Sequence, residues 1–119
     1  MDSNRATKSA AVAPLAVALL VIAALSAAAG PQTFTGIISD DMCARADHSH
    51  MRMGPTDAEC AMACVSAHGA AYVLYDGKNV YKLSGRKALE KFAAHKVRVT
   101  GELDAKTQTI RMDSITSAN

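Results

Sequence analysis

SGRKALEKFAAHKVRVTGELDAKTQTIRMDSI, residues 84–115, is the stretch whose reading decides the fold. Ser84 is placed to cap a helix, and in RKALEKFAAH the residues Ala88, Leu89, Phe92 and Ala93 fall on one face. Lys96 to Leu103 then alternates, with Val97, Val99 and Gly101 opposite Arg98, Thr100 and Glu102, which is a strand with one buried face. Asp104-Ala105-Lys106 turns the chain, and Thr109 to Ile115 returns with Ile110, Met112 and Ile115 inward.

Upstream, AYVLY (71–75) and NVYKL (79–83) are strands joined by an Asp76-Gly77 hairpin turn. The segment Pro31 to Ser39 carries another strand in TFTGIIS, where Gly36 suggests a bulge or a sharp coil. Between these lies a polar loop, 44–55, that ends in Gly54-Pro55. Thr56-Asp57-Ala58-Glu59 then reads as a capping box. It opens a helix from about Asp57 to Ala67, with Gly69 suited to the left-handed position beyond its end.

The expected fold class is therefore mainly β (α+β): a small five-stranded OB-like Greek-key barrel. One helix lies between strands 3 and 4, and a Cys-bearing helix is inserted between strands 1 and 2. An α+β sandwich with the same element order is the alternative. Tyr72, Tyr75 and Tyr81 are expected to pack on the sheet.

The 119 residues allow one domain. Arg5 and Lys8, the apolar run LAVALLVIAAL and the small residues Ser26 to Gly30 read as a signal peptide over 1–29. An uncleaved N-terminal membrane anchor is the alternative, because about 20 apolar residues can just span a bilayer. Both place the domain, 31–116, outside the cytoplasm, periplasmic or extracellular. The membrane is met only through that first segment, if it stays uncleaved. With 13 Lys and Arg against 11 Asp and Glu there is no basic stripe, which argues against a nucleic-acid partner.

The chemistry is concentrated in MCARADHSHMRMGPTDAECAMACVSAH, residues 42–68, which holds all three cysteines of the chain. Cys43, Cys60, Cys64, His48, His50, Met51 and Met53 are the candidate metal ligands, with Met42 a further thioether. Cys60 and Cys64 lie one helical turn apart, a spacing that brings two sulfurs onto one ion but is poor for a mutual disulfide. In an oxidising compartment Cys43 can instead bridge to Cys60 or to Cys64. Such a bridge closes a loop of about 20 residues and contributes on the order of 3 kcal/mol. It leaves one thiol over. Otherwise all three serve as thiolates, with His48 or His50 completing a Cys3His set. Thioether sulfurs make copper the first candidate and zinc the second.

The plainer readings are a stapled helix with ordinary core Cys and Met. His68 and His95 are then helix-end dipole partners. Met112 belongs to the core, and Asp40-Asp41 forms a solvated strand end. No catalytic residues emerge, and without a third member for a Cys–His pair the reading leans against an enzyme.

The chain resembles a set of small secreted bacterial proteins that share a domain of unknown function. The likeness runs through Ile38-Ser39-Asp40-Asp41-Met42-Cys43, His48, Met51 to Met53 and Cys60-Ala61-Met62-Ala63-Cys64-Val65. It continues through Tyr72-Val73 and the closing hairpin from Val97 to Ile115. Over its last third the chain is also similar to OB-fold proteins of the bacterial envelope. The resemblance implies an exported OB-like domain with an inserted Cys segment and no assigned activity. Two functions follow as expectations: a site for copper or zinc, or for redox through the cluster; or a disulfide-stapled module that binds an envelope ligand or protein partner. A thiol-based redox sensor is a third, and needs an accessible thiolate.

Overall fold

The computed structural model describes residues 30–84 and 89–119, so the expected leader over 1–29 lies outside the described residues. The described chain is mainly β, with five strands and one α-helix. In order these are β1 (Gln32–Asp40), α1 (Asp57–His68), β2 (Tyr72–Tyr75), β3 (Val80–Ser84), β4 (Lys96–Asp104) and β5 (Thr109–Ser117). A 3₁₀ turn, Glu90–Phe92, sits between β3 and β4.

The strands close into a barrel in the order β1-β2-β3-β5-β4. Every neighbouring pair is antiparallel except β3 with β5, where Lys82, Leu83 and Ser84 run parallel to Thr109, Ile110 and Arg111. β1 serves two partners: Gln32 to Ile37 pair with β4, and Ile37 to Asp40 pair with β2. Gly36 lies just before this change and forms no bulge. Any side chain there would strike the Tyr75 carbonyl at the end of β2, so the glycine permits a close approach. The register shift falls instead at Thr100/Gly101, which face Ser114 and Met112 and leave Asp113 as the extra residue on β5.

Alternation in the strands fills the barrel. Ile38, Leu74, Tyr81, Leu89, Val97, Val99, Ile110 and Met112 form one buried cluster, with Phe34, Phe92 and Ile115 packed against it. Phe34 and Tyr81 meet with ring centroids 5.3 Å apart. Burying each large aliphatic side chain contributes about 1.5–3 kcal/mol, which makes this cluster the main source of the barrel's stability.

The helix expected over Arg86–His95 is corrected in its described part to the single 3₁₀ turn; residues 85–88 lie outside the description. The physical reason is competition from β1. The Ala94 N–H donates to the Ile38 carbonyl at 2.8 Å, and the Ile38 N–H donates to the His95 carbonyl at 3.2 Å. These bonds draw Ala93 into a parallel bridge with Ile38 and end the turn. Leu89 and Phe92 still face the core, so the apolar pattern keeps its meaning while the local geometry changes. Ser84, expected as a helix cap, is the last residue of β3.

α1 belongs to a lobe inserted between β1 and β2. The two ends of that lobe meet at a neck: the Asp41 N–H donates to the Ala71 carbonyl at 2.9 Å, and the Ala71 N–H donates to Asp41 Oδ1 at 3.2 Å. Among the described residues no helix is long and apolar enough to cross a membrane.

Candidate metal centre

At the end of β1 the alternation stops, and Ile38, Ser39 and Asp40 are all fully buried. The lobe covers the face that would otherwise meet water. The expectation that Asp40 is a solvated strand end is therefore corrected: its carboxylate is 0% exposed. Asp40 Oδ1 accepts from the N–H groups of Met42 (3.0 Å) and Cys43 (2.9 Å), and Ser39 Oγ donates to the Cys43 carbonyl at 2.7 Å. Two polar side chains thus lock the backbone of Cys43 over the barrel's end. The Ala46 N–H closes a turn on the Cys43 carbonyl at 2.8 Å, with Ala46 in the left-handed region at φ 56°. For a residue with a Cβ this costs about 1–2 kcal/mol. The strained turn leads the chain back inward to His48, which is 3% exposed.

The other wall is α1. Thr56 caps it by accepting from the Glu59 N–H at 3.2 Å, and its own hydroxyl donates to Glu59 Oε2. Gly69 ends it in the left-handed conformation, as its sequence position indicated. Cys60, Ala61 and Cys64 form its buried face. Small residues there let the helix lie close to β1. Gly54 keeps the preceding loop against the first turn, because a Cβ at that position would come within 2.9 Å of Glu59 Cβ.

Together these elements bring one ligand atom each from Cys43, His48 and Cys60 within 4.8 Å of one another, all three residues buried. With metal–sulfur bonds of about 2.3 Å, two thiolates on one tetrahedral ion lie roughly 3.8 Å apart. The group therefore needs to contract by only about 1 Å to hold an ion. Cys60 Sγ is already oriented: it accepts from the Met53 N–H at 3.3 Å and donates to the Met51 carbonyl at 3.2 Å.

Cys64, one turn along the same face, is fully buried. Its thiol is pushed up to about 11, first by burial and then by the charges of Asp40, Cys60 and Cys43. Cys43 is raised for the same reasons, burial first, then Asp40 and Cys60. A second carboxylate oxygen, Asp40 Oδ2, lies 3.8 Å from His48 Nδ1. Among the described residues neither atom has a hydrogen-bond partner, and both are buried. A buried donor and acceptor left this far apart are costly, and the cost falls when the ring moves and the pair closes. The residues present thus fit a soft or borderline metal ion.

No family model, curated protein or solved structure matches this chain. The assignment therefore rests on the residues themselves.

The structure does not bring together everything the composition offered. Of the alternating segment from His48 to Met53, only His48 turns inward; a turn at Ser49-His50 breaks the extended geometry, and His50 is exposed. Met51 and Met53 contribute backbone groups to Cys60 while their side chains are exposed, and Met42 is exposed too. All three cysteines are free thiols, so neither Cys43–Cys60 nor Cys43–Cys64 is bridged. His68 and His95 are exposed at the ends of their turns, away from the buried group. Asp40 is the residue that sequence reasoning placed in solvent. Its signal lay in the run Ile38-Ser39-Asp40, where a strand ends beside a cysteine.

Proposed function

We propose that this is an exported OB-like domain whose inserted lobe holds one thiophilic d10 ion, Cu(I) or Zn(II), on Cys43, His48 and Cys60. The carrying observation is the convergence of three buried ligand atoms within 4.8 Å. The OB-like reading is supported by the five-strand order with its parallel β3–β5 closure. Export is supported by the apolar run before Gly30 and the small residues that close it.

His48 binds through Nε2, because Nδ1 faces Asp40, the arrangement in which a carboxylate fixes the ring of a ligating histidine. Cys64 separates the two ions. Zinc would complete a tetrahedron by drawing in this third sulfur as its fourth ligand, whereas Cu(I) is content with two thiolates and an imidazole. When bound, the ion would tie the loop that follows β1 to α1. A partner protein of the envelope, to which the ion is passed, is the natural complement of such a carrier.

The test is native mass spectrometry of the protein and its Cys43→Ser, Cys60→Ser and Cys64→Ser variants after exposure to each ion. The expected result is one ion on the parent protein and none on the first two variants. Cys64→Ser retains Cu(I) and loses zinc. An unbound parent protein, or unchanged uptake in Cys43→Ser and Cys60→Ser, defeats the reading. The alternative of a disulfide-stapled binding module is favoured if the parent protein is metal-free and two daltons light, with Cys43 and Cys60 joined.

A further inference from the structure

Among the described residues, the large apolar side chains with substantial exposure are Ile37, Met42, Met51 and Met53. Three of these four are thioethers, all in the loop that wraps the buried centre, at 43%, 42% and 38% exposure. By contrast, Met112 lies in the barrel core and Met62 of α1 is half-buried. Packing does not explain the exposed set, since apolar surface left in water forgoes about 25 cal/mol per Å².

Their backbones are tied to the centre. The Met42 N–H donates to Asp40 Oδ1 at 3.0 Å, the Met51 carbonyl accepts from Cys60 Sγ at 3.2 Å, and the Met53 N–H donates to Cys60 Sγ at 3.3 Å. Each thioether therefore starts from a backbone group that touches a ligand or its neighbour, and extends toward solvent. The ligands themselves are sealed. Cys43, His48 and Cys60 are buried, so an ion must be received at the surface before it reaches them.

A thioether is a neutral soft donor that takes Cu(I) or Ag(I), is poor for Zn(II), and carries no proton to compete. It holds such ions weakly enough to release them to a thiolate.

We propose that Met42, Met51 and Met53 form a surface capture site for a monovalent soft ion, Cu(I), which they deliver inward to Cys43, His48 and Cys60. This rests on the metal-centre reading and selects copper within it. In the transfer the copper–thioether bonds break and copper–thiolate bonds form at Cys43 and Cys60. The two thiol protons leave to solvent, and copper remains Cu(I) throughout.

The experiment compares the protein with a Met42→Leu/Met51→Leu/Met53→Leu variant, which keeps apolar volume and removes sulfur. Cu(I) is supplied as its bicinchoninate complex and its loss from the chelator is followed by stopped-flow absorbance; zinc supplied with a colorimetric chelator is the control. The expected outcome is a tenfold or greater fall in the rate of Cu(I) transfer, with the final stoichiometry unchanged and any zinc uptake as fast as before. Equal Cu(I) rates in the two proteins overturn the capture site while leaving the centre intact. A parallel fall for zinc also overturns it, and points to a loop that packs through these residues. If the parent protein takes up neither ion, the centre and the capture site fail together. As a second readout, Ag(I) titrated into the parent protein should shift the methionine methyl NMR signals of residues 42, 51 and 53 before the centre saturates. Shifts confined to saturation overturn the proposal.

Discussion

Asp40 uses one carboxylate oxygen to hold the backbone of Met42 and Cys43 and aims the other at His48. Replacing it with asparagine keeps the shape and one acceptor but removes the charge that favours a ligating imidazole. Asp40→Asn should weaken metal binding by about 10–100-fold, the usual effect of losing such an outer partner. The melting temperature of the metal-free protein should not fall, because a buried and incompletely partnered carboxylate is no longer required. Chelator competition and thermal melts of the same preparation check both halves. At this scale the sequence was only partly legible. Cys60 and Cys64 announced a shared helical face by their spacing, and both are buried there. The direction of the methionines could not be read, because Met51 and Met53 serve Cys60 through backbone groups that do not depend on the side chain being methionine. Asp40 was hidden for a related reason: a strand-terminal Asp-Asp looks solvated until the lobe that covers it has been folded over it.

The β2–β3 hairpin shows how one side chain can organise an element. Asp76 accepts from the N–H groups of Lys78 (2.8 Å) and Asn79 (2.6 Å), while Gly77 takes the positive φ of 98° that the turn demands. Hydrogen bonds from the Asn79 backbone chiefly, then from Lys78 and the Asn79 side chain, hold the Asp76 carboxyl below the ordinary aspartate value. A carboxyl depressed in the folded state adds stability above its unfolded value, near 3.8. That stability is lost as pH falls through the lower folded value. Asp76→Ala should therefore melt earlier than the parent protein at pH 7, and the gap should close as the pH is taken toward 2. Thermal melts across that range measure it. Strands and hairpins of this kind were legible because period-two alternation and Asp-Gly turns are local signals. The segment before β4 was not: its helical periodicity lost to hydrogen bonds from Ile38, a residue far away in the chain.

At the scale of the molecule there are two interiors of different kind. The barrel's interior is aliphatic and aromatic, from Ile38 to Met112. The fully or nearly buried side chains of the lobe are Cys43, His48, Cys60, Ala61 and Cys64, with no large aliphatic among them. So small a core is poorly able to hold a lobe by burial alone, and under the proposed reading an ion in its midst would supply folding free energy directly. Removing the metal with a chelator should speed amide hydrogen exchange across 42–70 by at least tenfold, while β4 and β5 keep their protection. Exchange mass spectrometry of loaded and stripped protein reads this directly. Uniform loss of protection would mean one cooperative unit instead. The five strands were legible because each carries its own pattern, whereas the coupling between the two interiors depends on which cysteines meet in space. The neck at Asp41 and Ala71 carries a consequence of its own. Entry and exit of the lobe are already paired as neighbouring residues of a ladder, and what lies beneath it on β1, Ser39 and Asp40, is polar. The lobe is in this sense a cassette. Excised at the neck and replaced by a two-residue turn, it leaves β1 and β2 as a plain hairpin whose uncovered residues water can solvate; spliced into another antiparallel hairpin, it carries its ligands along.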